Sequence, residues 1–386
     1  MPLLNNALEI GTAATQWRRH LHQIPELQYD VFETAKYIAE KLTSFGCDEV
    51  VTEIGRTGIV AIIHGKYGKG DTIGLRADMD ALPILEATGL PYASNTPGKM
   101  HACGHDGHSS MLLGAAMHLA ETRNFSGSVA LIFQPAEEGG AGGKAMVDDG
   151  MMDTFNISRV FGMHNLPGLD VGSFAACDGP IMAAADKFDI VVKGRGGHAA
   201  MPHQTLDPIT AASQLVTALQ SIVSRNTDPL ASLVISVTKF HAGDAYNIIP
   251  QQAEIAGTVR TLQPTMRDTA ERRIKETAAG IAMACGVEIS INYERYYPVT
   301  VNHTDETELA LAVARNVAGN AKVNGKLDPM MGAEDFSFML EARPGAFIFI
   351  GNGQSAGLHH PEYNFNDEAI AHGVSYWVQL VETVLS

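Results

Sequence analysis

Two periods of hydrophobic and polar residues run along this chain, and each period dictates the element that buries it. In "TAATQWRRHLHQIPELQYDVFETAKYIAEKLTSFG", Thr12 to Gly46, apolar residues recur at helical spacing. Pro25 interrupts the pattern, so the stretch reads as two helices, the second near Val31 to Ser44 and stopped by Gly46. "TGIVAIIHG" and "DTIGLRADM" are short apolar runs flanking the turn "KYGKG" and read as buried strands. A helix, "SSMLLGAAMHLAET", and two more apolar strands, "SVALIFQP" and "RVFGMHN", follow. Apolar strands alternating with helices predict an α/β sheet covered on both faces. Glycines 65, 68 and 70 do not make G-x-G-x-x-G, so the turn carries no dinucleotide fingerprint.

The pattern changes near Ala183. "KFDIVVKGRGGHA" begins with strand alternation, "DPITAASQLVTALQSIVSR" is helical, and "LASLVISVTKFHAG" and "AEIAGTVRTL" are strands. "TMRDTAERRIKETAAGIAMACG" is a long amphipathic helix and "VEISINYERYYP" a last strand. The order β-α-β-β-α-β is ferredoxin-like. The expected architecture is a discontinuous α/β domain, residues 1–184 and 298–386, interrupted by an inserted α+β domain, residues 185–297. "ETELALAVARNVAGNA", "GAFIFIGNG" and a terminal helix complete the first domain, and the small residues of "PIMAAA", Pro180 to Ala185, suit a hinge.

Composition narrows the function. With 45% hydrophobic residues and a net charge of −16, the 386-residue chain has the makings of a large core but not the basic footprint of nucleic-acid binding. No segment approaches the ~20 apolar residues of a membrane span. The start lacks a basic stretch followed by an apolar run, so no secretory signal is expected. The four cysteines, 47, 103, 177 and 285, are scattered rather than paired in a framework, which fits a reducing cytoplasm.

The densest chemistry lies in "MHACGHDGH", Met100 to His108. Cys103 and His105 are two apart, which in an extended loop puts both side chains on one side, with Gly104 free to bend. A thiolate and an imidazole suit zinc, manganese, cobalt or nickel rather than calcium or magnesium. A helix entrance with Asp106 as its cap is the competing reading. Other candidates fall at strand ends: Asp78 and Asp80 in "LRADMDALP", Glu137 and Glu138 in "AEEGG", His164 in "RVFGMHN", and His359 and His360 after "AFIFIGNG". Ligands of α/β sheets gather at the carboxyl ends of strands. Neighbouring glutamates point different ways, so one can bind metal while the other faces water. "GQSAG" matches G-x-S-x-G, but Pro361 and two histidines follow where that elbow requires a helix.

"RRHLHQIPEL", "LRADMDALP", "HACGHDGH", "FQPAEEGGAGGKAMVDDG", "GRGGHAAMPHQTLDP" and "LHHPEYNFND" together resemble the M20-type metallopeptidases, and within them the amidohydrolase branch of hippurate hydrolases, N-acyl-amino-acid deacylases and auxin-conjugate hydrolases. The resemblance spans nearly the whole chain. It implies a Zn-peptidase-like catalytic domain with an inserted lid that also mediates dimerisation, in a homodimer or dimer of dimers. It implies two divalent transition-metal ions per subunit on Cys103, His105, Glu138, His164 and His359. The family's Leu-His-x-Pro pattern selects His359 over His360. Glu137 takes the general acid/base role. Asp80 matches an acidic catalytic-site residue, whereas Asp78 stands where other branches have His. His198 matches a histidine that reaches an active site, often the partner subunit's. Asn247 and Arg260 match substrate-contacting positions, Asn247 as an oxyanion donor and Arg260 as a carboxylate clamp. The implied reaction is hydrolysis of a small N-acyl amino acid, with a di- or tripeptidase or carboxypeptidase as the alternative.

Overall fold

The computed structural model describes residues 7–386. The chain divides into two compact units. One comprises residues up to Ile181 with Val301–Asp328 and Asp335–Ser386; the other comprises Met182–Thr300 with Pro329–Glu334.

The first unit is built on a mixed eight-stranded sheet. Its order is Glu49–Ile54, Gly58–His64, Ser128–Gln134, Thr72–Asp78, Ile157–Pro167, Gly345–Gly353, Phe174–Ala175, Val323–Asn324. The central four strands, from Ser128–Gln134 to Gly345–Gly353, are mutually parallel. All four therefore end on the same edge. They read as continuous apolar runs because their residues are buried on both faces. The first strand, Glu49–Ile54, is absent from the sequence reading. It is a half-exposed edge strand with a Glu at either end of its "EVVTE", so no apolar run marks it.

The helix His105–Thr122 packs against the helices Ala7–Gln23, Phe32–Phe45 and Ala369–Val384 and is buried on nearly every side. It begins four residues earlier than its apolar run suggests. Close packing requires its glycines: a Cβ on Gly107 would lie 2.3 Å from the Phe365 ring, and one on Gly114 2.6 Å from Val374. Among the described residues, no helix is long and apolar enough to cross a membrane, and all four cysteines are free.

The second unit has a four-stranded antiparallel sheet of order Leu233–His241, Gln252–Thr261, Ala184–Lys193, Glu288–Tyr297. Alternate residues Phe188, Ile190 and Val192 face a core shared with Leu215 and Leu219 of the helix Pro208–Ser221 and Ile274 of the helix Pro264–Cys285. The other face of that strand carries Lys187, Asp189 and Lys193, as the period of two demands, while Asp186 is buried on the core side and held by Arg267 and Tyr293.

A buried ionic cluster ties the first helix of the chain to the metal-motif segment. His22 Nδ1 lies 2.8 Å from Asp106 Oδ2 and its Nε2 3.3 Å from Glu86 Oε1, while Arg18 Nη2 lies 2.6 Å from Asp367 Oδ1. Burial alone would lower the His22 pKa. Asp106, then Glu86, outweigh burial and raise it to about 9. The folded value lies above the unfolded one of about 6.5, so the stability it contributes is complete below about pH 6.5 and is lost as pH rises through about 9. The shift corresponds to about 3 kcal/mol. Denaturant titrations at about pH 6 and about pH 10 should show the parent losing that much more stability than His22→Gln. Equal losses in the two proteins would remove His22 from the ledger.

Candidate metal centre

The candidate ligands arrive on the common edge of the parallel strands. Thr72–Asp78 delivers Asp78 and then Asp80. Ser128–Gln134 delivers Glu137 and Glu138, Ile157–Pro167 carries His164, and the loop after Gly345–Gly353 carries His359. Cys103 and His105 do not lie on an extended loop. His105 is the first residue of its helix, and Gly104 is the cap, in the left-handed region at φ +90°. The helix entrance and the ligand site are thus one feature, and with Gly104 as the turn between them Cys103 and His105 fall in separate groups that share Glu138.

Two triads result. Cys103, Glu138 and His359 bring ligand atoms within 4.8 Å of one another, and so do His105, Glu137 and Glu138. Glu138 belongs to both. Cys103 Sγ lies 3.4 Å from His164 Nε2, and Glu138 Oε1 lies 3.1 Å from His359 Nε2. His360 is turned elsewhere, its Nδ1 accepting the Glu362 N–H at 3.1 Å.

Hydrogen bonds decide which ring nitrogens are available. His105 Nδ1–H donates to the Asp80 carbonyl at 2.7 Å, leaving Nε2 buried and without a hydrogen-bond partner. His164 Nδ1–H donates to the Asn165 carbonyl at 2.7 Å, leaving its Nε2 lone pair facing Cys103. His108 sits in the same cluster but is occupied at both nitrogens. Its Nε2 accepts the Asn165 N–H at 3.0 Å, so Nδ1–H donates to Asp78 Oδ1 at 2.6 Å. An orphaned imidazole nitrogen among a thiol and carboxylates is a donor set that fits a transition-metal ion.

The electrostatics point the same way. Burial would lower the His105 pKa, but the carboxylates of Asp78, Asp80 and Glu138 raise it to about 10. Burial pushes the Cys103 thiol well up, and Glu138, Glu137 and Asp78 push it further. The pocket is short of positive charge. A cation that displaces the protons of Cys103 and His105 supplies it.

Asp80 is buried behind the two glutamates. Its Oδ1 accepts the Glu137 N–H at 2.9 Å and its Oδ2 the Glu138 N–H at 3.1 Å. Asp80 thus positions both glutamates through its carboxylate and His105 through its main-chain carbonyl. Asp78 is fully buried, with Arg76 Nη1 at 2.8 Å from its Oδ2 and His108 on its Oδ1. Two residues of the site adopt left-handed backbone without being glycine, Ala136 (φ 54°) just before Glu137 and His359 itself (φ 63°). Such conformations cost roughly 1–2 kcal/mol each. The His359 N–H bond to the Ala102 carbonyl, 2.8 Å, holds one of them.

His198, Asn247 and Arg260 belong to the second unit. The two-residue strands Gly197–His198 and Ile248–Ile249 pair, and the Ala199 N–H donates to the Asn247 carbonyl at 3.0 Å, which sets exposed His198 and Asn247 side by side. His198 Nδ1 accepts the Ala200 N–H at 3.1 Å, so the neutral ring carries its proton on Nε2. Arg260 is half-buried and donates to the Thr258 hydroxyl and the Val259 carbonyl. Sequence reasoning marked Asp78 as a strand-end candidate and missed His108 and Asn165 as supports. His105 and His108 share a helix face at i, i+3, a signal open to anyone who starts the helix at His105.

The profile of peptidase family M20/M25/M40 matches residues 74–383. The chain is 45% identical to a hippurate hydrolase of Campylobacter jejuni, over 98% of each chain. It is 40% identical to an N-acetylcysteine deacetylase of Bacillus subtilis, over 97% of each. It is 39% identical to thermostable carboxypeptidase 1 of Saccharolobus solfataricus, over 94% of this chain and 92% of that one. A crystal structure of the Bacillus subtilis YXEP protein, described as a dinuclear metal binding peptidase, superposes with a TM-score of 0.86 at 36% identity, over 98% of this chain and 99% of that one. The chain belongs to peptidase family M20/M25/M40 and is a hydrolase of its amidohydrolase branch.

Proposed function

We propose that the chain hydrolyses the amide bond of small N-acyl amino acids, hippurate-like or N-acetylated, to a carboxylic acid and a free amino acid. The observation that carries this reading is the double hold of Asp80 on Glu137 and Glu138, which sets a proton acceptor beside a metal-ligand cluster. Cys103, His105, Glu138, His164 and His359 would hold two divalent ions drawn from zinc, manganese, cobalt or nickel. Such ions supply a water of lowered pKa and a Lewis acid for the amide carbonyl. Glu137 takes the proton of the attacking water and passes it to the leaving nitrogen. Asp80 keeps Glu137 and Glu138 in place. His198 donates its Nε2–H to the developing oxyanion, with Asn247 as a second donor, and Arg260 binds the substrate carboxylate.

In this reading residues 185–297 form a ferredoxin-like lid and dimerisation domain inserted between residues 1–184 and 298–386, the subunit works as a homodimer or dimer of dimers, and four free thiols suit a cytoplasmic home. The strand order of the four-stranded sheet and its two helices support the ferredoxin-like arrangement. A di- or tripeptidase or carboxypeptidase activity is the second reading, favoured by the likeness to a carboxypeptidase. Steady-state kinetics on hippurate, N-acetyl-amino acids, an unblocked dipeptide and an N-blocked dipeptide separate the two. The proposal expects the highest kcat/KM on a simple N-acyl amino acid. A higher value on either dipeptide would favour the peptidase reading.

A further inference from the structure

Asn165 is a fully buried amide one residue beyond His164, and it reaches each of the other segments that carry the thiolate side of the site. Its Nδ2 donates to the Cys103 carbonyl at 2.6 Å. Its Oδ1 accepts the Tyr363 hydroxyl at 2.7 Å. Tyr363 closes the turn that follows His359, its own N–H donating to the His360 carbonyl at 2.9 Å. The amide cannot be flipped, because a carbonyl can only accept and must face Nδ2. The contact with the Cys103 loop is tight: a Cβ on Gly104 would lie 2.4 Å from Asn165 Nδ2 and 2.6 Å from the Tyr363 hydroxyl. Gly104 is therefore required by this clamp as well as by its φ of +90°.

We propose that the Asn165–Tyr363 pair is a positioning device for metal binding, one that fixes the Cys103 loop, the His164 strand and the His359 turn in register before any ion arrives. The proposal rests on the metal-site reading given above. Its physical basis is preorganisation: without the clamp, the loop bearing Cys103 must be ordered at the expense of binding free energy. Side-chain removal at Asn165 spares the main-chain groups that orient His108 and His164, because those bonds come from its N–H and C=O. Asn165 Nδ2 also lies 3.0 Å from His108 Nε2, so Asn165→Ala removes that contact together with the link between Cys103 and Tyr363, whereas Tyr363→Phe breaks the link alone.

The test is a cobalt titration of chelator-stripped protein, followed by the near-ultraviolet thiolate-to-cobalt band, assigned to Cys103 by its loss in Cys103→Ala. Thermal unfolding of each apoprotein is recorded alongside. Asn165→Ala should need about 10–100-fold more cobalt for half-saturation, the loss typical of a residue that supports a ligand. Tyr363→Phe, which keeps volume and fold, should shift in the same direction by a smaller factor. A purely structural role would lower apoprotein stability and leave cobalt affinity unchanged in both variants; that pattern overturns the proposal while leaving the metal site intact. Absence of the band in the parent protein would overturn the assignment of Cys103 as a ligand, and this inference with it.

Discussion

Glu137→Gln is expected to retain the parent's metal content and lose about 10²–10⁴-fold in kcat, the range associated with a positioned general base. Glutamine has the shape of glutamate and hydrogen-bonds in the same space but takes no proton. The Glu137 N–H bond to Asp80 comes from the main chain and survives the change. The variant also separates two roles that geometry alone allows, since Glu137 lies in a triad with His105 and Glu138 and could itself be a ligand. Elemental analysis together with kcat on the best N-acyl substrate decides it. Lost metal would make Glu137 a ligand, and near-parent turnover would end the base assignment.

Cys103→Ala is expected to cost at least one of the two ions and nearly all activity. The thiol is buried beside His164 and forms a triad with Glu138 and His359. A residue that merely supports a ligand is worth about 10–100-fold in affinity, so loss of a ligand itself should exceed that. The buried thiol must lose its proton to bind, with its pKa held well above the ordinary value by burial and three carboxylates. Metal affinity in the parent should therefore fall as pH falls, with protons released on binding. The Cys103→Ala protein should release fewer. Unchanged metal stoichiometry and proton release would remove Cys103 from the site.

Much of this architecture is written in local pattern. The apolar runs at Gly58–His64, Thr72–Asp78, Ser128–Gln134 and Gly345–Gly353 are legible because both faces of those strands are covered. Glu49–Ile54 is not legible, because an exposed edge strand needs no apolar run. The start of the helix at His105 is hidden for a different reason. His105, Asp106 and His108 are polar residues buried inside the fold, where the two histidines meet carboxylates and Asp106 meets His22 and Arg18 rather than apolar side chains. Those partners come from far away in sequence. Asn165 reaches Cys103 across 62 positions and Tyr363 across 198. Motif likeness marks the ligands themselves, but no periodicity encodes which buried amide joins them. Asp80 shows the same limit: the sequence marks it as an acid near the site, and only the fold reveals that its carboxylate is taken up by two main-chain N–H groups.

The most direct test of the central claim is hydrolysis of hippurate and N-acetyl-amino acids by chelator-stripped protein, before and after restoring zinc, manganese, cobalt or nickel. The account predicts no turnover without metal, recovery with at least one of these ions, and release of free amino acid in step with metal uptake. Full turnover by protein that elemental analysis shows to be metal-free would contradict it.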